Sequence, residues 1–268
     1  MASAVTGEPQ SKWKACQNVP IPGNCSEMIN IEDIINTVVC GDCLEVMAEM
    51  PDGCVDLVLT DPPYGIGEDG AKNHTRECLA KSRYYPPAGW DKEPPSQAHF
   101  DEMRRVGLEQ IVFGANHFAH RLPESSCWIV WDKDNGATDF ADCELAWASY
   151  RKAVRRFRWK SQGMLQEPGY PKEQRVHPTQ KPLPLMLWIL RRFGQGTSII
   201  LDPFCGSGTT CVAAKMLGRN YIGIDISSDY VAIARKRLEA VDTGVPVKER
   251  DAGQLPLFTG HDGESDGS

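Results

Sequence analysis

Apolar positions along the chain fall into short runs separated by polar, Pro- and Gly-containing stretches. Val55–Thr60 (VDLVLT) and Ser198–Leu201 (SIIL) have the form of strands buried on both faces of a parallel sheet. Further strands are predicted at Ile35–Asp42, Ile111–Ala115, Cys127–Asp132, Cys143–Tyr150 and Asn220–Asp225. The spacing predicts helices over Leu44–Met50, Ser96–Gly107, Leu183–Phe193, Thr209–Leu217 and Ser228–Val241, the last capped by Ser227 or Ser228. Strands alternating with helices predict an α/β fold, a mostly parallel sheet with helices on both faces. The ordered domain is expected over 31–245. Residues 1–30 carry no periodic pattern and are expected to be loose. Residues 66–97 are rich in Pro, Gly and charge and too long for an ordinary connection, so an active-site loop is expected there. Residues 246–268 are expected to form an acidic, flexible tail.

Charge changes this picture locally. The net charge of −7 argues against a surface coated in cations for nucleic acid. Yet Arg151, Lys152, Arg155, Arg156, Arg158, Lys160, Lys172, Arg175 and Lys181 lie close together, opposed only by Glu167 and Glu173. Phe157 and Trp159 interleave with them, which suggests a strand with a basic outer face. Residues 151–176 are the candidate recognition segment. Arg151, Arg155, Arg156, Arg158 and Lys160 are candidate phosphate contacts, with Lys72 and Arg83 of the long loop beside them. The ten cysteines are scattered, and the single Cys40-x-x-Cys43 has no second pair at zinc spacing. Reduced thiols and no metal site are expected. With no run of 18 apolar residues and no apolar leader, neither a membrane span nor a secretory signal is expected, and the location is expected to be cytoplasmic.

Two strings carry the chemistry. Asp202-Pro203-Phe204-Cys205-Gly206-Ser207-Gly208-Thr209-Thr210 follows one buried strand and opens a helix. Gly206 and Gly208 allow a sharp turn and close approach of backbone to a ligand. The next strand ends in Asp225, placed to accept hydrogen bonds from two ribose hydroxyls. The Gly-Lys-Ser/Thr of a phosphate loop is missing, and Cys211 stands where a dinucleotide fingerprint has its third glycine. The second string, Asp61-Pro62-Pro63-Tyr64-Gly65, follows Val55–Thr60. Its prolines fix two φ angles and bar a helix. The Asp61 carboxylate and the Pro62 carbonyl can then accept from the two hydrogens of an exocyclic amine, and Tyr64 can stack on a flipped base.

These strings resemble the DNA amino-methyltransferases, which make N6-methyladenine or N4-methylcytosine. The catalytic string precedes the cofactor string, as in the permuted beta class of small phage and bacterial forms. The resemblance spans about Ile35–Val241. It implies a single-domain, S-adenosylmethionine-dependent methyltransferase (Rossmann-like) fold with circularly permuted motif order and a small inserted recognition region. It implies Asp61, Pro62, Pro63 and Tyr64 as catalytic residues. It places Asp202, Phe204, Gly206, Ser207, Gly208 and Thr209 around the cofactor, Asp225 at its ribose and Asp42 near its adenine. Thr179 and Lys181 are implied near its methionine carboxylate. Double-stranded DNA is the implied partner. A homodimer and a restriction endonuclease partner are compatible with it, as is the cytoplasm of a bacterial or phage-infected cell.

Asp rather than Ser at position 61 resembles the adenine enzymes, so adenine N6 is the expected target and cytosine N4 the alternative. A non-catalytic nucleic-acid-binding subunit on the same scaffold is disfavoured by the intact Asp61 and Tyr64. Protein-glutamine methylation is disfavoured because those enzymes carry Asn-Pro-Pro-Tyr after the cofactor string. A nicotinamide oxidoreductase is disfavoured by the missing third glycine.

Overall fold

Side chains on successive positions of each buried strand go alternately into one of two cores. In β2 (Val55–Thr60), Leu57 and Leu59 pack in one core and Val58 between them in the other. In β3 (Gly107–Phe113), Ile111 and Phe113 separate from Val112 in the same way. This follows from the two-residue period of a strand and requires helices on both faces. The computed structural model describes residues 28–66, 93–135, 141–162, 165–166, 180–194 and 199–243.

The elements run α1 (Ile31–Ile34), β1 (Thr37–Cys40), α2 (Cys43–Ala48), β2, α3 (Gln97–Val106), β3, β4 (Cys127–Asp132) and β5 (Cys143–Ala148). Then follow β6 (Arg155–Arg158), a ribbon of β7 (Ser161–Gln162) and β8 (Leu165–Gln166), α4 (Leu183–Phe193), β9 (Ile199–Asp202), α5 (Thr209–Met216), β10 (Asn220–Asp225) and α6 (Ser228–Thr243). The sheet order is β1-β10-β9-β2-β3-β5-β4-β6. Only β5 runs against its neighbours, so five of the seven pairings are parallel. One core holds residues of α4, α5 and α6, the other residues of α1, α2 and α3. Each fully buried Leu, Ile or Phe contributes about 1.5–3 kcal/mol.

From β9 the chain passes through α5 to β10 on one side; from β2 it passes through α3 to β3 on the other. The sheet therefore has a topological switch point between β9 and β2, where a crevice opens beyond the strands' carboxyl ends. Here the two strings come together, the earlier one in the chain on β2 and the later one on β9. Asp56 strengthens this seam: its carboxylate accepts the Ile199 N–H at 2.8 Å.

Most predicted elements stand, with adjusted ends. β3 begins at Gly107, four residues before the expected Ile111, because Gly107 pairs directly with Val55. α1 was not expected; Asn30 caps it by accepting the Glu32 N–H. The interleaved basic strand is corrected in part. β6 does present Arg156 and Arg158 outward, but Arg155 is half-buried on the opposite face. Phe157 packs on Trp188 of α4 and Trp159 is buried, so these aromatics serve the core. The segment 1–30 expected to be loose is corrected at its end, where Ile29 is buried and Asn30 caps α1; residues 1–27, the bulk of the 66–97 loop with Lys72 and Arg83, Thr179, and the 246–268 tail lie outside the described residues.

Candidate active site

Four strand ends place four carboxylates along one rim of the sheet. Register pairs Cys40 with Asp225 and Gly223 with Asp202, and Val58 with Leu201. Asp42 lies two residues beyond β1, and Asp61 follows β2 directly. Around them lies a cavity of about 420 Å³, within the roughly 300–1,000 Å³ of small-molecule sites. Of the sequence-predicted residues, Asp42, Asp61, Pro63, Lys181, Asp202, Phe204, Gly206, Ser207, Thr209 and Asp225 line it. Pro62, Tyr64 and Gly208 are not among its lining residues.

The turn after β9 is shaped by backbone need. Gly208 has φ +80° and caps α5, and a Cβ there would sit 2.8 Å from Ala234 Cβ. Both oxygens of Asp225 accept backbone N–H groups, from Gly206 and Ser227, each at 2.8 Å. Each oxygen retains a lone pair for a hydroxyl donor. Burial raises the Asp225 carboxyl while those two bonds lower it. Asp42 caps α2 by accepting the Leu44 N–H at 2.8 Å. Asp202 is 4% exposed and accepts from the Thr60 hydroxyl at 2.7 Å and the Phe204 N–H at 3.2 Å. Burial pushes its carboxyl up to about 6, against the pull of the Thr60 and Thr210 hydroxyls. Arg237 of α6 donates to the Ser207 carbonyl and to the Ser207 and Thr209 hydroxyls, pinning the loop from outside.

Side-chain hydrogen bonds hold the Asp61–Gly65 string at the end of β2. Tyr64 donates its hydroxyl to Asp61 Oδ1 at 2.5 Å. Its ring stacks on His117 at 5.0 Å and lies against Gly114, where a Cβ would fall 2.0 Å from the ring. Lys181, implied near a cofactor carboxylate, lines the cavity. Its ammonium donates to Asp61 Oδ2 at 2.5 Å and to the Tyr64 hydroxyl at 3.2 Å. Burial raises the Asp61 carboxyl; Lys181 pulls it down and Glu144 pushes it up. Burial also works against charge on Glu144, but Lys181 and Lys133 overcome it and hold that carboxyl at about 2.

Sequence reasoning missed His99, Gln180, Glu144, Ile226 and Tyr230. His99 sits in the first turn of α3, tilts against the Phe204 ring at 5.8 Å and accepts the Ser96 N–H at 3.2 Å. Burial lowers its pKa. A Ser three residues ahead of a His was the one visible signal. Gln180 faces the Ser207 hydroxyl, with 3.4 Å between Oε1 and Oγ. It lay beside the predicted Lys181. Nothing in the run Cys143–Tyr150 marked Glu144 apart from its charge. Cys43 lines the cavity as a thiol: burial and Asp42 push it up to about 12.

A parallel-sheet crevice thus brings together a glycine turn, the Asp225 carboxylate and the Asp61 end of a proline-fixed string. A family model described as DNA methylase matches residues 147–236. The putative methylase YubD of Escherichia coli (strain K12) is 30% identical over 215 residues, covering 75% of this chain and 89% of that protein. The type II methyltransferase M.HinfI of Haemophilus influenzae is 27% identical over 259 residues, covering 79% of this chain and 70% of its own. Among solved structures, the M1.HpyAVI–SAM complex matches at 26% identity over 75% of this chain and 98% of that one, with a TM-score of 0.45. The putative DNA modification methylase TTHA0409 of Thermus thermophilus, complexed with S-adenosyl-L-methionine, matches at 20% over 78% and 96%, with a TM-score of 0.49. The chain belongs to the DNA amino-methyltransferase family.

Proposed function

We propose that this chain methylates the exocyclic amine of a flipped base in double-stranded DNA, with S-adenosylmethionine as donor and adenine N6 as target. The observation that carries this reading is Asp61. It stands on a proline-fixed turn and lines the same cavity as Asp225 and the glycine turn, so an amine at Asp61 and an adenosyl ligand share one space. The cavity fits such a ligand: Asp225 offers lone pairs to a ribose, and Phe204 offers an aromatic wall. When bound, the donor supplies an electrophilic methyl on a sulfonium, and the S–C electron pair stays with sulfur.

The chain's own residues then have separate tasks. An aromatic amine is a poor nucleophile because its lone pair is delocalised into the ring. Asp61 and the Pro62 carbonyl accept its two hydrogens, which favours a pyramidal nitrogen and stabilises the positive charge that grows on it. The burial that raises the Asp61 carboxyl makes it a competent acceptor for the N–H proton that the methylated nitrogen must shed. Tyr64 is braced beside this point by a stack on His117 and a hydrogen bond to Asp61. Asp at position 61, by the resemblance described above, favours adenine over cytosine.

Incubation with DNA and methyl-labelled S-adenosylmethionine, followed by digestion to nucleosides, tests the reading. N6-methyladenine is expected. Label in N4-methylcytosine would overturn the choice of base and keep the reaction class; no label in DNA would overturn both.

A further inference from the structure

Lys181 is 6% exposed and serves two carboxylates. Its ammonium makes the short bond to Asp61 Oδ2 and also lies 3.0 Å from Glu144 Oε2. The second contact is out of hydrogen-bond alignment, so Glu144 Oε2 is a buried oxygen with a charge beside it and no hydrogen bond of its own. Glu144 reaches this point because β5 runs antiparallel to β3, which brings its first residues to the end where β2 and β3 stop. Its other oxygen is tied to Lys133, just past β4, at 2.5 Å. Charges thus alternate along a line: Lys133, Glu144, Lys181, Asp61. Neither Lys133 nor Glu144 lines the cavity.

In this arrangement each oxygen of Asp61 already accepts one donor, Oδ1 the Tyr64 hydroxyl and Oδ2 the Lys181 ammonium. An incoming amine would have to share an oxygen with one of them, which weakens both bonds. We propose that Glu144, anchored by Lys133, is a positioning residue that gives the Lys181 ammonium a second seat, so that Oδ2 of Asp61 is released to the substrate amine. The ammonium turns from one carboxylate to the other, and its hydrogen bond to Asp61 is replaced by one to Glu144. No charge enters or leaves the buried cluster, which avoids the high cost of an unpaired buried charge. The proposal rests on the methyltransferase reading for the identity of the amine. The link between Glu144, Lys181 and Asp61 stands on the geometry alone.

Among the described residues, the groups that face Asp61 are Lys181, Glu144, Tyr64 and Asp202, with His117 behind Tyr64. Glu144→Gln keeps the shape and removes one negative charge. In the cofactor-free full chain, carboxyl 13C NMR should show the Asp61 titration midpoint moving to lower pH, because the repulsion from Glu144 is gone and Lys181 rests on Asp61 alone. In turnover, kcat should fall about tenfold or more, its acid limb should move to lower pH, and the donor KM should stay within about twofold. The double variant K133Q/E144Q restores the cluster's neutrality but not the second seat, so its kcat should remain low. An Asp61 midpoint that does not move, or wild-type kcat in either variant, overturns the proposal. If Glu144→Gln does not fold, Lys133→Gln tests the link from its outer end: Glu144 then draws Lys181 harder and the Asp61 midpoint should rise. An unmoved midpoint there also overturns it. A wild-type chain that methylates nothing would instead defeat the methyltransferase reading, while the NMR midpoints still decide the link.

Discussion

Asp61, half-buried, and Asp202, buried, lie on adjacent strand ends and do different work. Asp61 has a cation against it and faces the cavity. Replacing it with Ala should reduce kcat about 100-fold or more, since a lost transition-state acceptor commonly costs that much. Cofactor affinity measured by calorimetry should hardly change; near-wild-type turnover would remove Asp61 from the mechanism. Asp202 has only hydroxyl and N–H donors, from Thr60, Thr210 and Phe204. Its carboxyl, raised to about 6, favours the protonated form in the fold. The folded chain therefore holds its proton over a pH range where the unfolded chain has lost it. Stability contributed by this group is complete below about pH 4 and is lost as pH rises toward about 6, on the order of 3 kcal/mol at most. Urea melts across that window should show the decline, and Asp202→Asn should flatten it.

Elements aim these residues, and the clearest case is the end of β3. Gly114 follows it at φ +66°, in contact with the Tyr64 ring. Gly114→Ala should push that ring off His117 and away from Asp61, at about 1–3 kcal/mol for overpacking in addition to backbone strain. Turnover should fall more than donor affinity; a variant with normal kcat would show that Tyr64 tolerates displacement. The strands and helices that bear the two strings were legible because apolar runs and glycine turns are local signals, and Cys127–Asp132, Leu183–Phe193 and Asn220–Asp225 match the residues observed. Glu144 and His99 were not legible, because their place depends on which strands become neighbours. Lys181 was found by its string, but its contacts to Asp61 and Glu144 were not, since nothing local announces that β5 delivers a second carboxylate to it. β6 was read as one basic face; strand alternation splits it, and only Arg156 and Arg158 point out, both near Asp132.

At the scale of the whole molecule, β6 is an edge of the sheet, and its last residue pairs with Asp132 at the cavity end. Arg156 and Arg158 are therefore the better phosphate candidates among the described cations of that segment. Arg156→Gln with Arg158→Gln should weaken DNA binding and lower the slope of log affinity against log salt by roughly 0.9 for each phosphate no longer neutralised on duplex DNA. Arg155→Gln should leave that slope nearly unchanged. Equal slopes in all three proteins would show a solvated face and send the search elsewhere on the surface.

The seam between β2 and β9 also governs how the chain is made. Val58 is paired with Leu201, so the strand bearing Asp61 gains its neighbour only after a long further stretch of chain has been synthesised. At about 5–20 residues per second, that leaves one side of β2 open for roughly 7–30 s on the ribosome. Through that interval the growing chain carries a hydrophobic strand with an unfilled ladder, the sort of surface that chaperones hold and that aggregates when they do not. The arrangement that brings the two strings face to face in the finished enzyme thus makes its birth slow, and a nascent chain stalled before β9 has the acid but no pocket to use it in.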